Sequence, residues 1–269
     1  MIVPRRSGRL QNRKRCRTMP PPVALQLYSL REMADKNFEH VVNLTAEIGY
    51  AGVEPAGFPG TTPEAAGRLF ESLNLEVPSA HLPLPVGENR SYVVETAGAI
   101  GTKRVVSGLG RDDHSTVDNI RWSADRFNEA AEAVAPHGMT FGIHNHWWEY
   151  LEVEGRIATD ILLEHLAPEV FFQVDVYWVQ VGGPDPAGVL KQLGDRAPLL
   201  HLKDGPCLRN TDMTALGEGK VDLPEVIAAG GDHTEWHIVE LDSCATDMVE
   251  AVKKSYKYLV DNGLSRGNA

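Results

Sequence analysis

Cysteine is scarce in this chain. Only Cys16, Cys207 and Cys244 occur among 269 residues, and they form no CxxC pair. An odd number of widely spaced cysteines argues against a disulfide framework and a thiolate zinc site, and it favours a reducing cytoplasm. The chain also lacks any apolar run approaching the roughly 20 residues that are needed to span a bilayer. The sequence therefore predicts a soluble, cytoplasmic protein without a membrane partner.

Positive charge is scarce over most of the chain. The sequence holds 26 Lys and Arg against 37 Asp and Glu, which gives a formal charge of −11. Residues 1–18 contain seven of the basic side chains and no acid, so the remainder carries 19 basic against 37 acidic residues. A nucleic-acid backbone would be repelled by this field, so we expect no nucleic-acid partner.

The basic N-terminus is predicted to lie outside the folded domain. Its composition predicts a disordered extension over residues 1–22. Arg5-Arg6 resembles the start of a twin-arginine signal, but no apolar segment follows it. Met19 directly precedes three prolines and the first apolar run, which favours an over-extended reading frame that truly starts at Met19.

From Val23 onward, a short apolar run, a turn and a helical stretch alternate eight times. Apolar interiors of this kind are typical of parallel strands that are buried on both faces. Helical periodicity is clearest over 116–136 and 246–260. The pattern predicts an α/β fold, a single-domain (β/α)8 TIM barrel over 23–269, with a doubly wound open sheet as the alternative. The predicted strands are 23–29, 51–55, 76–81, 103–107, 139–145, 170–177, 198–203 and 235–241.

Polar side chains close the predicted strands, at the end of a barrel where active sites are built. Asp175, His201 and Glu240 end three consecutive strands within apolar stretches. Each of them taken alone could equally be structural. Converging buried carboxylates, however, are costly without a counter-charge, which a divalent cation would supply. Mixed oxygen and imidazole ligands suit Mn²⁺, Mg²⁺, Co²⁺, Fe²⁺ or Zn²⁺, so we predict a divalent-metal site.

Six segments in order resemble the xylose-isomerase-like TIM barrels, a superfamily of sugar phosphate isomerases and epimerases. The resemblance implies a metal held by an acid after strand five and by Asp175, His201 and Glu240 after the next three strands. At strand five this chain has His144-Asn145-His146 instead of the acid, so the fourth ligand is either Glu149 or a histidine. The segments are 26–31, 49–54, 142–150, 174–178, 201–205 with 217–219, and 238–242.

Strand five also supplies the preferred catalytic base. Period-two alternation places His144 and His146 on the same face, so both could point into the barrel. An imidazole of ordinary pKa, about 6.5, is free to accept a proton near neutrality. We predict His146 as the base, ahead of His144, Glu240 and Glu54. In the competing interpretation one of these histidines is a metal ligand and Glu149 orients it.

The resemblance implies a sugar or a sugar-like polyol as the substrate. Isomerisation, epimerisation and elimination next to a carbonyl all begin with loss of the α-proton, which a metal and a base promote. We therefore predict a metal-dependent sugar isomerase or epimerase, with manganese favoured. The alternatives are a dehydratase or lyase acting on a keto-inositol or keto-glycoside, and a non-catalytic sugar-binding barrel. The negative charge argues against a three-zinc abasic-site endonuclease, which shares this fold.

Further side chains near the strand ends are predicted to contact the substrate through polar groups or aromatic faces. Phe58 and Trp148 are expected to be ordinary packing residues instead. The sequence is compatible with a homo-oligomer and does not decide the oligomeric state. The predicted substrate-binding residues are Tyr28, Arg31, His81, Trp147, Tyr177, Trp178 and Lys203.

Overall fold

A computed structural model describes residues 19–268, and eight parallel strands in it form a barrel surrounded by helices. This confirms the predicted single-domain TIM barrel. Each predicted strand overlaps an observed one. The strands are β1 (Val23–Gln26), β2 (Gly52–Glu54), β3 (Ala80–His81), β4 (Arg104–Ser107), β5 (Thr140–His144), β6 (Phe171–Asp175), β7 (Leu199–Leu202) and β8 (Trp236–Val239).

The barrel closes between β2 and β3 through single hydrogen bonds rather than a regular ladder. The Val53 N–H donates to the Glu76 carbonyl (2.9 Å), and the His81 N–H donates to the Pro55 carbonyl (3.0 Å). The predicted strand 76–81 therefore shortens to Ala80–His81. Pro78 lies in the middle of the predicted run, and it has no N–H to contribute to a ladder.

The helices wrap the barrel and bury one face each. The predicted helices at 116–136 and 246–260 correspond to the fifth and tenth of them. In the fifth helix, Phe127 is fully buried and stacks on Phe141 of β5, with ring centroids 5.9 Å apart. The helices are α1 (Arg31–Ala34), α2 (Phe38–Ile48), α3 (Pro63–Ser72), α4 (Asn89–Ala99), α5 (Val117–Val134), α6 (Ala158–His165), α7 (Val176–Gly182), α8 (Pro186–Leu193), α9 (Leu223–Gly230) and α10 (Met248–Asp261).

The barrel interior has an apolar layer at the amino ends of the strands and a polar layer towards their carboxyl ends. Phe171, Leu199 and Trp236 belong to the apolar layer. At Gly142 an added Cβ would lie 2.2 Å from the Phe171 ring, so the missing side chain there allows Phe171 to fill the barrel. The polar layer is buried as well, and it includes Gln26, Glu54, His144, Gln173 and His201.

The described N-terminal end is tied to the barrel. The Pro21 carbonyl accepts a hydrogen bond from the Arg266 N–H, and the Pro22 carbonyl accepts one from the His237 N–H. These two prolines belong to the predicted disordered segment 1–22, whose first 18 residues lie outside the described ones. Within residues 19–268, no helix is long and apolar enough to cross a membrane.

Candidate metal and catalytic site

A cavity of about 880 Å³ lies at the carboxyl end of the barrel, above the polar layer. Strand ends and the loops that follow them provide its walls, as expected for this fold. Two aromatic residues outside the predicted set, Tyr92 and Trp148, also line it. The predicted residues that line it are Tyr28, His81, His144, His146, Trp178, Lys203 and Glu240.

Four buried side chains converge below this cavity. His144, Asp175, His201 and Glu240 each offer one ligand atom, and these atoms all lie within 4.8 Å of one another. None of the four is more than 6% exposed. Three of the four residues, Asp175, His201 and Glu240, were predicted to bind a metal. The fourth member of the group is His144 from β5.

Glu149 is held apart from this cluster. It lies in a short 3₁₀ turn, Trp148–Tyr150, that follows β5. Its Oε2 accepts a hydrogen bond from the His146 backbone N–H (2.8 Å), and its Oε1 lies 3.7 Å from His146 Nδ1. The sequence left either Glu149 or a histidine as the candidate for the fourth ligand. The structure places the histidine, and not Glu149, in the cluster.

Gln173 determines the tautomer of His144. Its amide nitrogen donates to both carboxylate oxygens of Glu54 (3.0 and 2.8 Å), so its oxygen must face the histidines. That oxygen accepts from His81 Nε2 (2.6 Å) and His144 Nδ1 (3.1 Å). Burial, reinforced by the positive charge of His201, holds the pKa of His144 well below its usual range. His144 is therefore neutral, and its Nε2 carries a free lone pair for a ligand.

His201 bridges two carboxylates across the barrel. Its Nδ1 lies 2.7 Å from Glu240 Oε2, and its Nε2 lies 3.0 Å from Glu54 Oε2. Burial alone would lower the pKa of His201, but the two carboxylates outweigh burial and raise it to about 10. In this arrangement both ring nitrogens carry a proton. A metal could bind one nitrogen only after that nitrogen has lost its proton, while the carboxylate beside the other nitrogen would keep the ring in place.

Glu54 is held below the cavity rather than facing it. Its side chain is fully buried, and it accepts hydrogen bonds from Gln26 Nε2 (3.2 Å) and Ser79 Oγ (3.2 Å) in addition to Gln173. Burial would raise the pKa of Glu54, but the charges of His81 and His201 outweigh it and hold this pKa below its usual range. The predicted candidate base is thus an ionised group that positions His201.

The chain itself supplies one counter-charge to the acids. Lys203 is 1% exposed, and its Nζ lies 3.0 Å from Asp175 Oδ2 and 2.8 Å from both Glu240 Oε2 and Asp242 Oδ2. Burial would lower the pKa of Lys203, but these carboxylates outweigh it and raise the pKa well above its usual value. Lys203 is therefore a fixed cation between candidate metal ligands.

Negative charge still exceeds positive charge in the site. Four carboxylates face three basic side chains, those of His81, His201 and Lys203, so acidic groups outnumber basic ones. Burial raises the pKa of Asp175, and Lys203 offsets this only in part. Beyond its ion pair with Lys203 (3.0 Å), Asp175 Oδ2 accepts no hydrogen bond from any described residue. A buried carboxylate oxygen held by an ion pair alone, in a cluster with more acids than bases, fits a divalent cation. The four carboxylates belong to Glu54, Asp175, Glu240 and Asp242.

His146 stands in the cavity wall beside the cluster. Its side chain is 33% exposed. Its ring stacks on Trp148, with centroids 4.1 Å apart and an interplanar angle of 12°, and it meets the His144 ring edge-on at 5.2 Å. Its Nδ1 has no hydrogen-bond partner among the described residues. The predicted base therefore lies at the cavity in a ring orientation that its neighbours restrict.

Arg31 forms part of the rim instead of the cavity lining. Its guanidinium donates to the backbone carbonyls of Tyr28 (3.0 Å) and Asp242 (2.8 Å), and it lies 4.3 Å from the centre of the Tyr28 ring. These bonds tie the β1 and β8 loops together. Arg31 thus supports Tyr28, which lines the cavity, and it is not among the lining residues itself.

Two of the predicted aromatic residues face away from the cavity. Tyr177 is fully buried, and its hydroxyl donates to the Leu208 carbonyl (3.5 Å). Trp147 stacks with Arg209, whose guanidinium carbon lies 4.0 Å from the ring centre. Trp178, in contrast, lines the cavity and donates its indole N–H to Asp242 Oδ2 (3.2 Å).

Gln173 and Trp148 are functional candidates that the sequence reasoning missed. Gln173 precedes Asp175 by two residues, so strand alternation places both on the inner face and could have identified it. Trp148 follows the strand in an irregular turn, where no periodicity applies. Only the turn geometry brings its ring against His146.

Asp204 organises the loop between β7 and α9. Its carboxylate accepts four backbone N–H bonds, two on each oxygen, over 2.8–3.1 Å. It is completely buried. A carboxylate with this many donors anchors the loop to the end of β7, three residues beyond His201 and one beyond Lys203. The donors belong to Gly205, Gly217, Gly219 and Val221.

Replacing Asp204 with Asn is expected to destabilise the protein by about 3 kcal/mol. The amide keeps one acceptor oxygen, so two backbone donors lose their partner and face an NH₂ group. Urea unfolding would measure the change. Asp212→Asn in the same loop is the control, because Asp212 is exposed and should tolerate the change. An unchanged unfolding midpoint for Asp204→Asn would contradict this role.

The chain belongs to the family of xylose isomerase-like TIM barrels, whose model matches residues 42–240. No functionally curated protein matches the chain in sequence. Its fold is similar to a sugar phosphate isomerase/epimerase from Parabacteroides distasonis, with a TM-score of 0.73 and 23% identity over 91% of this chain and 95% of that one. These values establish a common fold.

Two further solved structures share the fold at lower identity. One is the "probable 3-DHS dehydratase" of petrobactin synthesis in Bacillus anthracis, with a TM-score of 0.72 and 18% identity over 89% of this chain and 98% of that one. The other is the IOLI protein with a bound zinc atom, with a TM-score of 0.71 and 16% identity over 90% of this chain and 98% of that one.

Proposed function

We propose that this protein is a divalent-metal-dependent enzyme that removes the proton next to the carbonyl of a sugar or keto-sugar, as an isomerase or epimerase. The observation that carries the proposal is the buried convergence of His144, Asp175, His201 and Glu240 below a cavity that His146 lines. Membership of the family supports it, as does the sugar phosphate isomerase/epimerase among the similar folds.

The donor set suits a particular group of metals. Two imidazoles and two carboxylates fit Mn²⁺, Fe²⁺, Co²⁺ or Zn²⁺ better than Mg²⁺, which prefers oxygen ligands alone. We propose Mn²⁺, and the zinc atom bound in one structural neighbour supports a metal-dependent site. Such an ion, when bound, would polarise the substrate carbonyl and stabilise the charge that develops on its oxygen.

The chain's own groups would bind the substrate and move its proton. His146 would accept the α-proton, while Lys203, which reaches the cavity, would attract a substrate oxygen through its positive charge. Gln173 and Glu54 hold the rings of His144 and His201 in fixed orientations. Trp178 lines the same cavity and provides an apolar face against which the C–H groups of a sugar can pack.

A second candidate, a dehydratase or lyase, is favoured by the state of the two glutamates. Glu54 and Glu240 are both paired with His201, so two free carboxylates do not face each other across the cavity. Epimerisation by two opposed acid–base groups is therefore less suited to this site than single-base chemistry. Elimination next to a keto group needs only one base, and a dehydratase is among the similar folds.

Replacing His146 with Ala tests the proposed function. We expect the variant to keep its metal and to lose turnover by roughly 10²–10⁴-fold, the usual contribution of a positioned base. Exchange of the substrate α-proton in D₂O, followed by NMR on ketoses and keto-inositols with Mn²⁺, should be lost with it. The products would separate the two candidates, because elimination creates a double bond and isomerisation does not.

The control is His137→Ala, which changes an exposed histidine outside the site. Loss of metal together with activity in His146→Ala would make His146 a ligand. Full activity in that variant would return it to a packing role. A wild-type protein that binds sugars without metal and without α-proton exchange would favour the non-catalytic sugar-binding alternative.

A further inference from the structure

Two buried polar atoms in the turn after β5 have no hydrogen-bond partner among the described residues, although each could be the partner of the other. The two atoms are Glu149 Oε1 and His146 Nδ1. They lie 3.7 Å apart. A buried polar group without a partner costs roughly 1–3 kcal/mol, so both atoms would gain from closing this gap.

The backbone already holds Glu149 in place for this contact. Its Oε2 accepts the His146 backbone N–H (2.8 Å), which points the second oxygen towards the ring of the same residue. The Glu149 carbonyl accepts a hydrogen bond from Thr159 Oγ1 (2.6 Å), so α6 supports the turn. Glu149 is 3% exposed, and its carboxylate is not part of the metal cluster.

The ring of His146 is restricted as well. Trp148 stacks on one face of it, with ring centroids 4.1 Å apart. The His144 ring meets it edge-on, with centroids 5.2 Å apart. A small rotation within this arrangement would bring Nδ1–H onto Glu149. Hydrogen bonds of catalytic residues are often long before substrate binds and shorten in the complex.

We propose that Glu149 is the positioning residue for His146. By accepting a hydrogen bond from Nδ1–H, it keeps the ring in the tautomer whose Nε2 is unprotonated, which is the state a general base requires. A carboxylate that orients a histidine base in this way is a recurring device in acyl-transfer enzymes. The catalytic consequence rests on the function proposed above, whereas the tautomer can be observed without any substrate.

Glu149→Gln isolates the contact. The amide oxygen of Gln can still accept the His146 backbone N–H, so the turn is retained, but its NH₂ group then faces Nδ1. We expect Nδ1 to become the acceptor and the proton to move to Nε2. Long-range ¹H–¹⁵N NMR of the metal-free full chain would report this change of tautomer, with the His146→Ala spectrum identifying the signal.

Activity provides a second measurement. With Mn²⁺ present, Glu149→Gln should lower kcat by roughly 10²-fold or more, with KM and bound metal unchanged, because a wrong tautomer disables the base. Glu149→Asp should recover part of this loss, since it restores a carboxylate. Glu152→Gln is the matched control, because Glu152 is an exposed glutamate three residues further along the chain.

The outcomes are separable from those of the proposed function. A wild-type His146 that carries its proton on Nε2 would overturn the inference even if no substrate were found. Loss of bound metal in Glu149→Gln would overturn it too, because Glu149 would then be a ligand. An unchanged tautomer and an unchanged kcat in Glu149→Gln would reduce Glu149 to a support of the turn.

Discussion

Replacing Asp175 with Asn is expected to lower metal-dependent turnover by roughly 10³-fold or more, since the metal supplies several kcal/mol of transition-state stabilisation. The metal-free fold should be retained. Asn can keep the hydrogen bond from the Trp178 N–H to Oδ1 (3.0 Å), which caps α7. Lys203 would still pair with Glu240 and Asp242.

Titration of the variant with Mn²⁺ by calorimetry, turnover assays and thermal melting without metal would test this expectation. The melting temperature without metal should stay the same or rise, because the variant carries one less charge in a cluster with excess negative charge. Asp118→Asn is the control, as Asp118 is exposed and far from the cavity. A large fall in metal-free melting temperature would instead make Asp175 a structural partner of Lys203.

Replacing Lys203 with Met is expected to destabilise the metal-free protein by about 3–5 kcal/mol, the usual cost of removing one partner from a buried ion pair. Met fits the space of the lysine stem, but Asp175, Glu240 and Asp242 then lose their shared cation. A divalent metal should restore part of the lost stability, because it binds the same carboxylates in the folded state only.

Urea unfolding with and without Mn²⁺ measures both effects. Lys254→Met is the control, because Lys254 pairs with Glu218 at the surface (2.9 Å) and such exposed pairs add little stability. If the Lys203→Met variant unfolds at the same urea concentration as the wild type, Lys203 does not stabilise the fold as the counter-charge of the three acids. A loss of stability that Mn²⁺ does not reduce would separate Lys203 from the metal site.

His201 illustrates why stability and chemistry are linked in this cluster. It stands between Glu54 and Glu240, so its removal would leave two buried carboxylates without their common cation. Asp175, in contrast, shares its cation with two other acids. Removing His201 should therefore lower the stability of the metal-free fold more than removing Asp175. The reason is that His201 is a cation shared by two acids, whereas Asp175 is one of three acids around Lys203.

Local patterns in the sequence were sufficient to predict the barrel and the core of the site. Eight repeats of an apolar run and an amphipathic stretch allow few arrangements other than parallel strands with outer helices. The carboxyl ends of parallel strands meet at one end of the barrel, so residues that close consecutive strands must approach one another. Asp175, His201 and Glu240 could be predicted as neighbours for this reason.

The roles of the remaining residues depended on contacts between distant parts of the chain. The presence of His144 rather than Glu149 in the cluster follows from a turn that directs Glu149 to the backbone of His146. The closed barrel is likewise required to bury Lys203 among three acids. It also brings buried Glu54 against His201, which lies 147 residues away in the chain. Strand periodicity determines which face a side chain occupies, but the partner it meets there is decided by tertiary packing.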